Sequence, residues 1–420
     1  MVLLGLALAL GLVVAATRLK LNLGHALWAG SLVLGLSGAV PLNRLAGSMA
    51  QDLVEPQGLA LVGVIVGLMT LTQLLQMNGQ MDRLLGLVVA RRGSTRLSLV
   101  AFPALIGLLP MPGGAVFSAP MVESLSRPFG LSPRDKSLIN YWFRHIWEFA
   151  WPLYPSLILI AALAQVSLLR LVMASAPLTL AAVGWGVLFL LRPIRPRQEP
   201  APTTPQTGLS GPTAAGPILV AVGGAMAGTY LLGPLGRAFP SLAGLSPMIP
   251  LLAALILAIL FAVFSGGRPG LLLKAVGSRH TVKILYLILA ILGFQGAASA
   301  SGAIEALSRL MTDLNLPLPL LIGGLTFSLG LMTGYSIVYV AAAYPVFLGL
   351  LPAEGMMPYL ILGHVTGFTG VLLSPAHACL LLSNQYFEAP TGQVYRRLLA
   401  PALLTMACGL GFCALLAWAS

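Results

Sequence analysis

The fold of this 420-residue chain is decided by the stretch Leu109-Pro110-Met111-Pro112-Gly113-Gly114-Ala115-Val116-Phe117-Ser118-Ala119-Pro120. Apolar arms flank it on both sides, where a membrane helix would otherwise continue. Each proline lacks an N–H donor and clashes with the preceding turn, and the paired glycines favour a tight turn. Inside a membrane, broken backbone is tolerated only where protein buries it or where it lines a cavity. The stretch therefore predicts a re-entrant hairpin over about 97–126, with its tip near the middle of the membrane.

The composition is that of a membrane protein. The chain is 58% hydrophobic and only 8% charged, whereas soluble domains carry about 25% charged residues. Continuous apolar runs favour an all-α polytopic protein over a β-barrel, which would show short alternating segments. The formal net charge is +12, but the basic residues fall between the apolar runs. We interpret them as topology signals and lipid headgroup contacts, and we expect no nucleic-acid partner.

Ten apolar runs are candidate membrane spans, since a span takes about 20 apolar residues. The first, Val2–Ala16, has no basic segment before it and is expected to be a retained helix rather than a cleaved signal peptide. The remaining nine are His25–Val40, Gly58–Gln76, Ser137–Gln165, Leu168–Leu191, Pro217–Leu232, Pro247–Phe264, Val282–Ala298, Pro358–Phe387 and Leu398–Trp418.

The two halves of the chain contain the same features in the same order. A second broken segment, Met332-Thr333-Gly334-Tyr335-Ser336, predicts a second hairpin over about 317–350. Each hairpin is followed by a long span that proline interrupts, over 137–165 and 358–387. Five spans plus a hairpin is an odd number of crossings, so the repeats, 1–191 and 214–420, should be inverted. The Pro-rich segment 192–213 is predicted to be a linker between them.

The distribution of Lys and Arg predicts the orientation. Dense clusters lie at 18–20, 83–96, 127–136, 192–197 and 268–283. With these on the cytoplasmic side, both termini lie outside, the first hairpin enters from the cytoplasm and the second from outside. Four arginines remain on the outer side in this scheme: Arg44, Arg170, Arg237 and Arg309.

This doubled and inverted arrangement resembles the ion transporter superfamily, which includes divalent-anion/sodium symporters and short-chain fatty acid and gluconate carriers. Three stretches, 110–120, Asn140-Tyr-Trp-Phe-Arg-His-Ile-Trp-Glu148 and Trp151-Pro-Leu-Tyr-Pro155, more narrowly resemble the bacterial membrane family called domain of unknown function 401, over essentially the whole chain. The wider resemblance implies a homodimer with a static scaffold and a moving transport domain, an elevator mechanism. The Ser-Asn-Thr hairpin tips of the divalent-anion/sodium symporters are absent, so the roles of their residues do not carry over.

The most polar stretch within a predicted span contains Asn140, Arg144, His145 and Glu148. Arg144 and Glu148 are four residues apart on one helix face, and ionisable groups at membrane depth usually face a cavity or a partner. We expect Arg144 or His145 to hold an anion or relay a proton, and Glu148 to be a counter-ion or proton site. The alternative is an interfacial anchor, in which the neighbouring tryptophans form part of an aromatic belt and Arg144 reaches the headgroups.

The corresponding span of the second repeat contains His364 and His377 on either side of Ser374-Pro375. Proline releases backbone carbonyls that can coordinate a cation or face a substrate, and a neutral histidine can accept a proton near pH 6.5. We assign His377 to substrate binding, and His364, Ser374 and Pro375 to the coupling ion. The alternative for each histidine is a hydrogen-bonded packing residue.

The two hairpin tips supply the remaining candidates for substrate binding. Half-helix N-termini expose N–H groups with a positive dipole that suits a carboxylate, and close approach of the backbone needs glycine. The alternative is helix packing through small residues. The tip candidates are Gly113, Gly114, Ser118, Thr333, Gly334, Tyr335 and Ser336.

Together these features predict a secondary active transporter that moves a small organic anion with Na⁺ or H⁺. The alternative is a cation/proton antiporter that uses Glu148 and the intramembrane histidines. No nucleotide-binding, metalloprotease or nucleophile-elbow motif is present, so ATP-driven transport is not expected. A third class is an intramembrane enzyme such as a lipid-modifying transferase, but it would need a nucleophile or metal cluster, and His364 and His377 alone are too few; we therefore do not expect an enzyme. The cysteines, Cys379, Cys408 and Cys413, show no disulfide or zinc spacing. No metal site and no cofactor beyond Na⁺ are expected, and the bacterial plasma membrane is the expected location.

Overall fold

The computed structural model describes residues 1–80, 96–110, 114–194, 211–238, 248–266, 268–352 and 354–419, with backbone alone at residues 211–214, 232–238 and 419. Every regular element in these residues is helical. Gly113, most of the predicted linker (195–210) and the arginines between 83 and 92 lie outside the described residues.

The first half of the chain forms nine helices in the described residues. A 3₁₀ turn, Ile146–Phe149, follows α7, and a π-turn, Val187–Leu191, extends α9. The helices are α1 (Val2–Arg18), α2 (Leu23–Ser37), α3 (Leu42–Val54), α4 (Pro56–Met77), α5 (Arg96–Gly107), α6 (Ala115–Ser126), α7 (Pro133–His145), α8 (Pro155–Leu163) and α9 (Leu168–Gly186).

The second half forms ten helices in the described residues. The first of them begins at Gly211, which is inside the segment that the sequence assigns to the linker. They are α10 (Gly211–Ala238), α11 (Ile249–Gly266), α12 (Leu271–Val276), α13 (Arg279–Ala300), α14 (Ala303–Asp313), α15 (Leu318–Thr333), α16 (Ser336–Phe347), α17 (Met357–Leu372), α18 (Ala378–Tyr386) and α19 (Thr391–Ala419).

Five described helical segments are long and apolar enough to cross a membrane: Pro56–Met77, Leu168–Leu191, Ile249–Gly266, Arg279–Ala300 and Thr391–Trp418. Shorter apolar helices accompany them, and they include both arms of the second hairpin. The two long spans of the sequence analysis are each two shorter helices, because proline and irregular backbone interrupt them at 146–154 and 373–377. The protein is therefore a multi-pass helical membrane protein.

The interrupted helices of one half pack against those of the other half. Within each half, the first arm of the hairpin contacts the first part of the broken helix, α5 with α7 and α15 with α17. Between the halves, the second arm contacts the second part of the opposite broken helix, α6 with α18 and α16 with α8. The same set of neighbours thus occurs twice, and it brings both hairpin tips and both breaks into one region.

Glycines allow α15 and α17 to approach closely. A Cβ at Gly330 would overlap the carbonyl oxygen of Gly367, and a Cβ at Gly370 would overlap the carbonyl oxygen of Phe327. Small residues at helix contacts are the usual means of close packing in membranes. The tight pair fixes the first arm of the second hairpin against its broken helix.

The largest fully buried aromatic side chains lie mainly on the interrupted helices and the hairpin arms, so the aromatic part of the core lies where the two hairpins meet. These side chains are Trp142, Tyr141, Tyr339, Tyr344, Phe102, Phe149, Phe294, Phe347 and Phe368. The remaining helices surround this region, and α2, α3 and α4 contact α13, while α4 also contacts α11.

Candidate functional site

The first arm of the first hairpin ends inside the protein, and aromatic side chains complete its hydrogen bonding. The last carbonyls of a helix have no partner within the helix, and in a membrane they need one from the protein. The segment that interrupts the next helix supplies three donors: Trp147 Nε1 to the Ala104 carbonyl (2.8 Å), Trp151 Nε1 to that of Leu108 (2.9 Å) and Tyr154 Oη to that of Gly107 (2.6 Å).

The aromatic residues of the polar stretch also donate hydrogen bonds to backbone carbonyls inside the protein. Tyr141 Oη donates to the carbonyl of Leu372 at 2.9 Å, and Trp142 Nε1 donates to that of Ala182 at 3.0 Å. Both side chains are buried. These two side chains therefore do not form part of an aromatic belt at the membrane surface.

Asn140 joins the first hairpin to α18. Its amide nitrogen donates to the Ala115 carbonyl and to Ser383 Oγ, both at 2.9 Å, and its oxygen accepts from Ser118 Oγ at 2.5 Å. Both donors of the side chain are used. Asn140 and Ser118 thus lie together behind the hairpin tip, and neither lines the cavity described below.

The tip of the second hairpin is a left-handed turn at Gly334, where φ is +72°. A Cβ at this position would come within 2.8 Å of the backbone nitrogen of His377, so the tip is held directly against the break in the second broken helix. Thr333 donates back to the Leu329 carbonyl at 2.6 Å. Ser336 is the first residue of α16 and leaves the turn with its hydroxyl free to reach the first half.

The carboxylate of Glu148 meets the second hairpin at this point. Ser336 Oγ donates to Glu148 Oε2 at 2.7 Å. Glu148 lies in the 3₁₀ turn after α7, and its other oxygen is 3.8 Å from His145 Nε2. The contact connects the break of the first half to the N-terminus of a half-helix in the second, where the helix dipole favours negative charge.

Two buried histidines form a pair beside Glu148. His145 Nδ1 is 2.6 Å from the Tyr141 carbonyl and must donate to it, which leaves Nε2 as the acceptor in the neutral ring. His377 Nε2 lies 3.2 Å from that acceptor and is therefore its donor. His377 Nδ1 is buried and has no hydrogen-bond partner among the described residues.

Arg144 brings a positive charge into the same cluster. Its Nη1 donates to Cys379 Sγ at 3.2 Å and lies 3.4 Å from His145 Nε2. A Cβ at Gly114 would come within 2.8 Å of the guanidinium Cζ, so the first hairpin tip needs glycine there for Arg144 to fit. Arg144 is 3% exposed, and a buried positive charge of this kind requires negative or hydrogen-bonding partners.

His364 is separate from this pair and holds the backbone of Glu148. Its Nε2 donates to the Glu148 carbonyl at 3.0 Å, and its Nδ1 accepts from Tyr339 Oη at 2.8 Å. Both ring nitrogens are used, and the side chain is fully buried. Ser374 is also engaged, because its hydroxyl accepts from the Ala376 backbone nitrogen at 3.1 Å.

A cavity of about 240 Å³ opens among these groups. Of the candidates from sequence, Arg144, His145, Glu148, Gly334, Tyr335, Ser336 and His377 line it. Gly114, Ser118, Asn140, Thr333, His364, Ser374 and Pro375 do not. Residues that the sequence analysis did not select complete the wall: Met69, Pro110, Tyr154, Pro155, Ser156, His280, Ile284, Ile337, Ala378 and Cys379.

Cys379 is the most informative of the residues that sequence reasoning missed. Its sulfur and one nitrogen each of His145 and His377 lie within 4.8 Å of one another, a ligand set that suits a metal. However, the Arg144 guanidinium donates to the sulfur and approaches the His145 nitrogen. A cation already takes this place, so the cluster suits an anion better. The spacing of 232 residues between the two histidines gave no sequence signal.

The wall of the cavity is mixed in character. One guanidinium, one carboxylate and three imidazoles face apolar side chains such as Met69, Ile284 and Ile337. Sites for small molecules commonly combine an apolar lining with a few convergent polar groups, and drug-sized ligands take about 300–1,000 Å³. The volume and lining therefore suit a small molecule with one charged end.

A solved structure shares this fold. It is titled "Crystal structure of the Alcanivorax borkumensis YdaH transporter reveals an unusual topology", and it aligns with a TM-score of 0.63 at 16% identity, over 92% of this chain and 97% of that chain. The protein is thus a multi-pass membrane protein with the fold of a transporter. No curated protein matches the sequence significantly.

The sequence family is also defined. Residues 2–202 and 235–416 match the family described as "Protein of unknown function (DUF401)". The chain belongs to this family, and the match includes every residue of the cavity wall. The narrower resemblance drawn from the three sequence stretches is confirmed.

Proposed function

We propose that the protein is a secondary active transporter that moves a small organic anion of the carboxylate type, together with H⁺ or Na⁺. The observation that carries this proposal is the cavity between the two interrupted regions, where the Arg144 guanidinium and the N-terminus of α16 converge. Discontinuous helices whose ends point at a common site are typical of transporter binding sites. A guanidinium is the side chain best matched to a carboxylate.

The composition of the wall favours a monocarboxylate with an apolar body. Arg144 is the one guanidinium or ammonium group among the described wall residues, so a single carboxylate balances it. Met69, Ile284 and Ile337 offer the apolar surface for the rest of the molecule. The substrate leaves unchanged, since the proposal is transport without chemical turnover.

The mechanism that we propose is elevator-like, with two inverted repeats around the site. The repeated set of contacts, in which each hairpin packs against its own broken helix and against the opposite one, supports this arrangement. The hairpins and broken helices would form the moving unit. Helices α1–α4, α10, α11 and α13 would form the scaffold of a homodimer in the bacterial plasma membrane.

The alternative is a cation/proton antiporter. Glu148 is the one carboxylate among the described wall residues, and the His145–His377 pair lies beside it. A cation/proton antiporter would use this carboxylate as its carrier.

Flux measurements distinguish the two proposals. Proteoliposomes are loaded with buffer and given labelled lactate, phenylacetate, succinate or citrate, with and without Na⁺ and a pH gradient, against protein-free vesicles. Concentrative uptake of one carboxylate, recovered unchanged, supports the anion transporter. Cation-dependent proton release without uptake of any carboxylate supports the antiporter.

Arg144→Lys is the matched test of the site. The lysine keeps the charge but loses the planar fork of donors, and we expect uptake to fall at least tenfold. Arg309→Lys, on the half-exposed helix α14, is the control and should transport normally. Equal uptake by both variants would contradict the assignment of the cavity as the substrate site.

A further inference from the structure

The N-terminus of α16 already holds a carboxylate, which is that of Glu148. Ser336, the first residue of this 12-residue helix, donates to Glu148 Oε2 at 2.7 Å. The carboxylate is buried and lines the cavity. A helix N-terminus offers N–H donors and a positive dipole to any anion, and the Ser336 hydroxyl at this terminus, which Glu148 uses, would serve a substrate carboxylate equally well.

A second observation points to a ligand that arrives with a proton. His377 lines the cavity and is 6% exposed, and its Nδ1 has no hydrogen-bond partner among the described residues. Because His377 Nε2 donates to His145, Nδ1 of the neutral ring is an acceptor. A bare carboxylate only accepts hydrogen bonds and cannot satisfy this atom. The hydroxyl of a protonated carboxyl group, such as Glu148 with an added proton, can.

We propose that Glu148 occupies, in the empty protein, the place of the substrate carboxylate, and that one proton must be added to Glu148 for each carboxylate bound. This inference rests on the proposed transport of an organic anion and names its coupling ion. The step is an association: H⁺ adds to a Glu148 carboxylate oxygen, and the carboxyl group withdraws from Ser336 as the substrate carboxylate takes its hydrogen bond.

The charges of the cavity explain the requirement. Arg144 and ionised Glu148 balance each other among the described wall residues, so one more carboxylate would leave an uncompensated negative charge in a buried site. Two carboxylates that share a site do not both remain ionised. Protonation of Glu148 restores the balance, and a monocarboxylate then crosses with its proton as an electroneutral pair.

The arrangement is less suited to binding Na⁺. In transporters with broken helices, Na⁺ is commonly coordinated by carbonyls at half-helix C-terminal ends. At the end of α5 these carbonyls accept hydrogen bonds from Trp147, Trp151 and Tyr154. Each of these carbonyls keeps only one lone pair, so this helix end offers Na⁺ fewer ligand positions than an unpaired end would.

Other titratable groups surround Glu148 and define the controls. They come from α7, from the breaks, and from α13, α16, α17 and α18, and several contact one another. The groups are Tyr141, Arg144, His145, Tyr154, His280, Tyr339, His364, His377 and Cys379. His145 and His377 are the nearest competitors for the proton, since His145 Nε2 is 3.8 Å from Glu148 Oε1.

Calorimetry counts the protons directly. The purified full-length protein is titrated with whichever of lactate, phenylacetate, succinate or citrate the flux assay selects. The titration is repeated at pH 7 in two buffers of different ionisation enthalpy, and the difference in heat gives the protons taken up. The wild type should take up about one proton per carboxylate, and Glu148→Gln should take up none while it still binds. Glu123→Gln, which alters the partly exposed acid paired with Lys136, is the control and should match the wild type.

Vesicles test the same step during transport. Glu148→Gln should retain exchange of labelled for unlabelled carboxylate and lose accumulation driven by a pH gradient. Ser336→Ala is the second variant, in case Glu148→Gln does not fold. Because the substrate carboxylate takes this hydrogen bond, its loss should weaken carboxylate binding about tenfold, while one proton is still taken up for each carboxylate bound.

The possible results distinguish a failure of the proposed transport function from a failure of the inference about the proton on Glu148. If no carboxylate is transported by the wild type, the proposed function fails, and this inference fails with it. If transport occurs but no proton is taken up, or if Glu148→Gln still takes up one, only the inference is overturned. A folded Glu148→Gln variant that neither binds nor exchanges would also overturn it, because Glu148 would then be a ligand rather than a competitor.

Discussion

Gly107 lies so close to Arg144 that a Cβ on residue 107 would overlap the Arg144 backbone carbonyl oxygen and come within 3.0 Å of the carbonyl carbon. The second half of the chain has a corresponding contact between Gly330 and the Gly367 carbonyl. In both halves, glycine on the first arm of a hairpin therefore sets its distance from the broken helix.

Gly107→Ala and Gly330→Ala should each destabilise the protein by about 1–3 kcal/mol, because the added methyl group meets backbone rather than a flexible side chain. The measurement is the apparent Tm in detergent together with uptake in vesicles. Gly324→Ala, where a Cβ would meet nothing within 4 Å, is the matched control. Tm values for all three variants equal to that of the wild type would refute the role given to these glycines.

Tyr154→Phe tests the capping of the first hairpin arm. The substitution removes the donor to the Gly107 carbonyl and leaves that buried group without it, at a cost of about 1–3 kcal/mol. We expect a lower Tm and slower transport, since the arm carries one side of the cavity. Tyr230→Phe changes a side chain that is 77% exposed and should behave as wild type. A Tyr154→Phe variant with unchanged Tm would show that the carbonyl has another partner.

His364→Leu tests the positioning of Glu148. Leucine has a similar volume but leaves the Glu148 carbonyl and the Tyr339 hydroxyl without their shared partner. Each lost partner costs about 1–3 kcal/mol, so the variant should be strongly destabilised. His364→Gln can still supply a donor and an acceptor, and it should recover part of the lost Tm. If glutamine gave no recovery over leucine, the hydrogen bonds would not be the reason for the loss.

Asp135 gives the protein a pH-dependent contribution outside the membrane-spanning segments. Burial raises the pKa of this carboxyl, but hydrogen bonds from Arg134 and Ser132 and the charge of Arg397 bring it below its ordinary value. Its stabilising effect is therefore complete above the ordinary aspartate pKa and is lost as the pH falls through the lowered one.

Asp135→Asn should accordingly lower the stability at pH 7 by about 0.2–1 kcal/mol, the range for solvent-exposed ion pairs. The difference from the wild type should vanish as the pH falls below the lowered pKa, and the Tm of both proteins across that range is the measurement. Glu305→Gln is the control, since no ion pair involves Glu305 among the described residues. A difference that persisted in acid would rule out ionisation of Asp135 as its cause.

The class of the protein follows from the sequence alone, and the prolines mark the neighbourhood of its interruptions, although the first broken helix already ends at His145, ahead of Trp151 and Pro152. The low charge content and continuous apolar runs require a helical membrane protein, because only closed hydrogen bonding survives in lipid. Proline and glycine mark interruptions because proline lacks an N–H donor and glycine favours a turn. Helices end near such residues, at Gly107, Thr333 and Leu372. Arg144, His145, Glu148, Ser336 and His377 could be selected because polar residues stand out in apolar segments.

Which of these residues line the cavity and which are used within the protein became visible only when the two halves of the chain were packed together. Asn140 and His364 were selected for the same reason as Glu148, yet their hydrogen bonds are used within the protein. Cys379 lies in the cluster, although the residues around it in the sequence do not indicate a functional site. A polar residue in a membrane helix needs a hydrogen-bonding partner, and that partner can lie hundreds of residues away in the sequence. Packing of one half of the chain against the other determines whether that partner is protein or ligand.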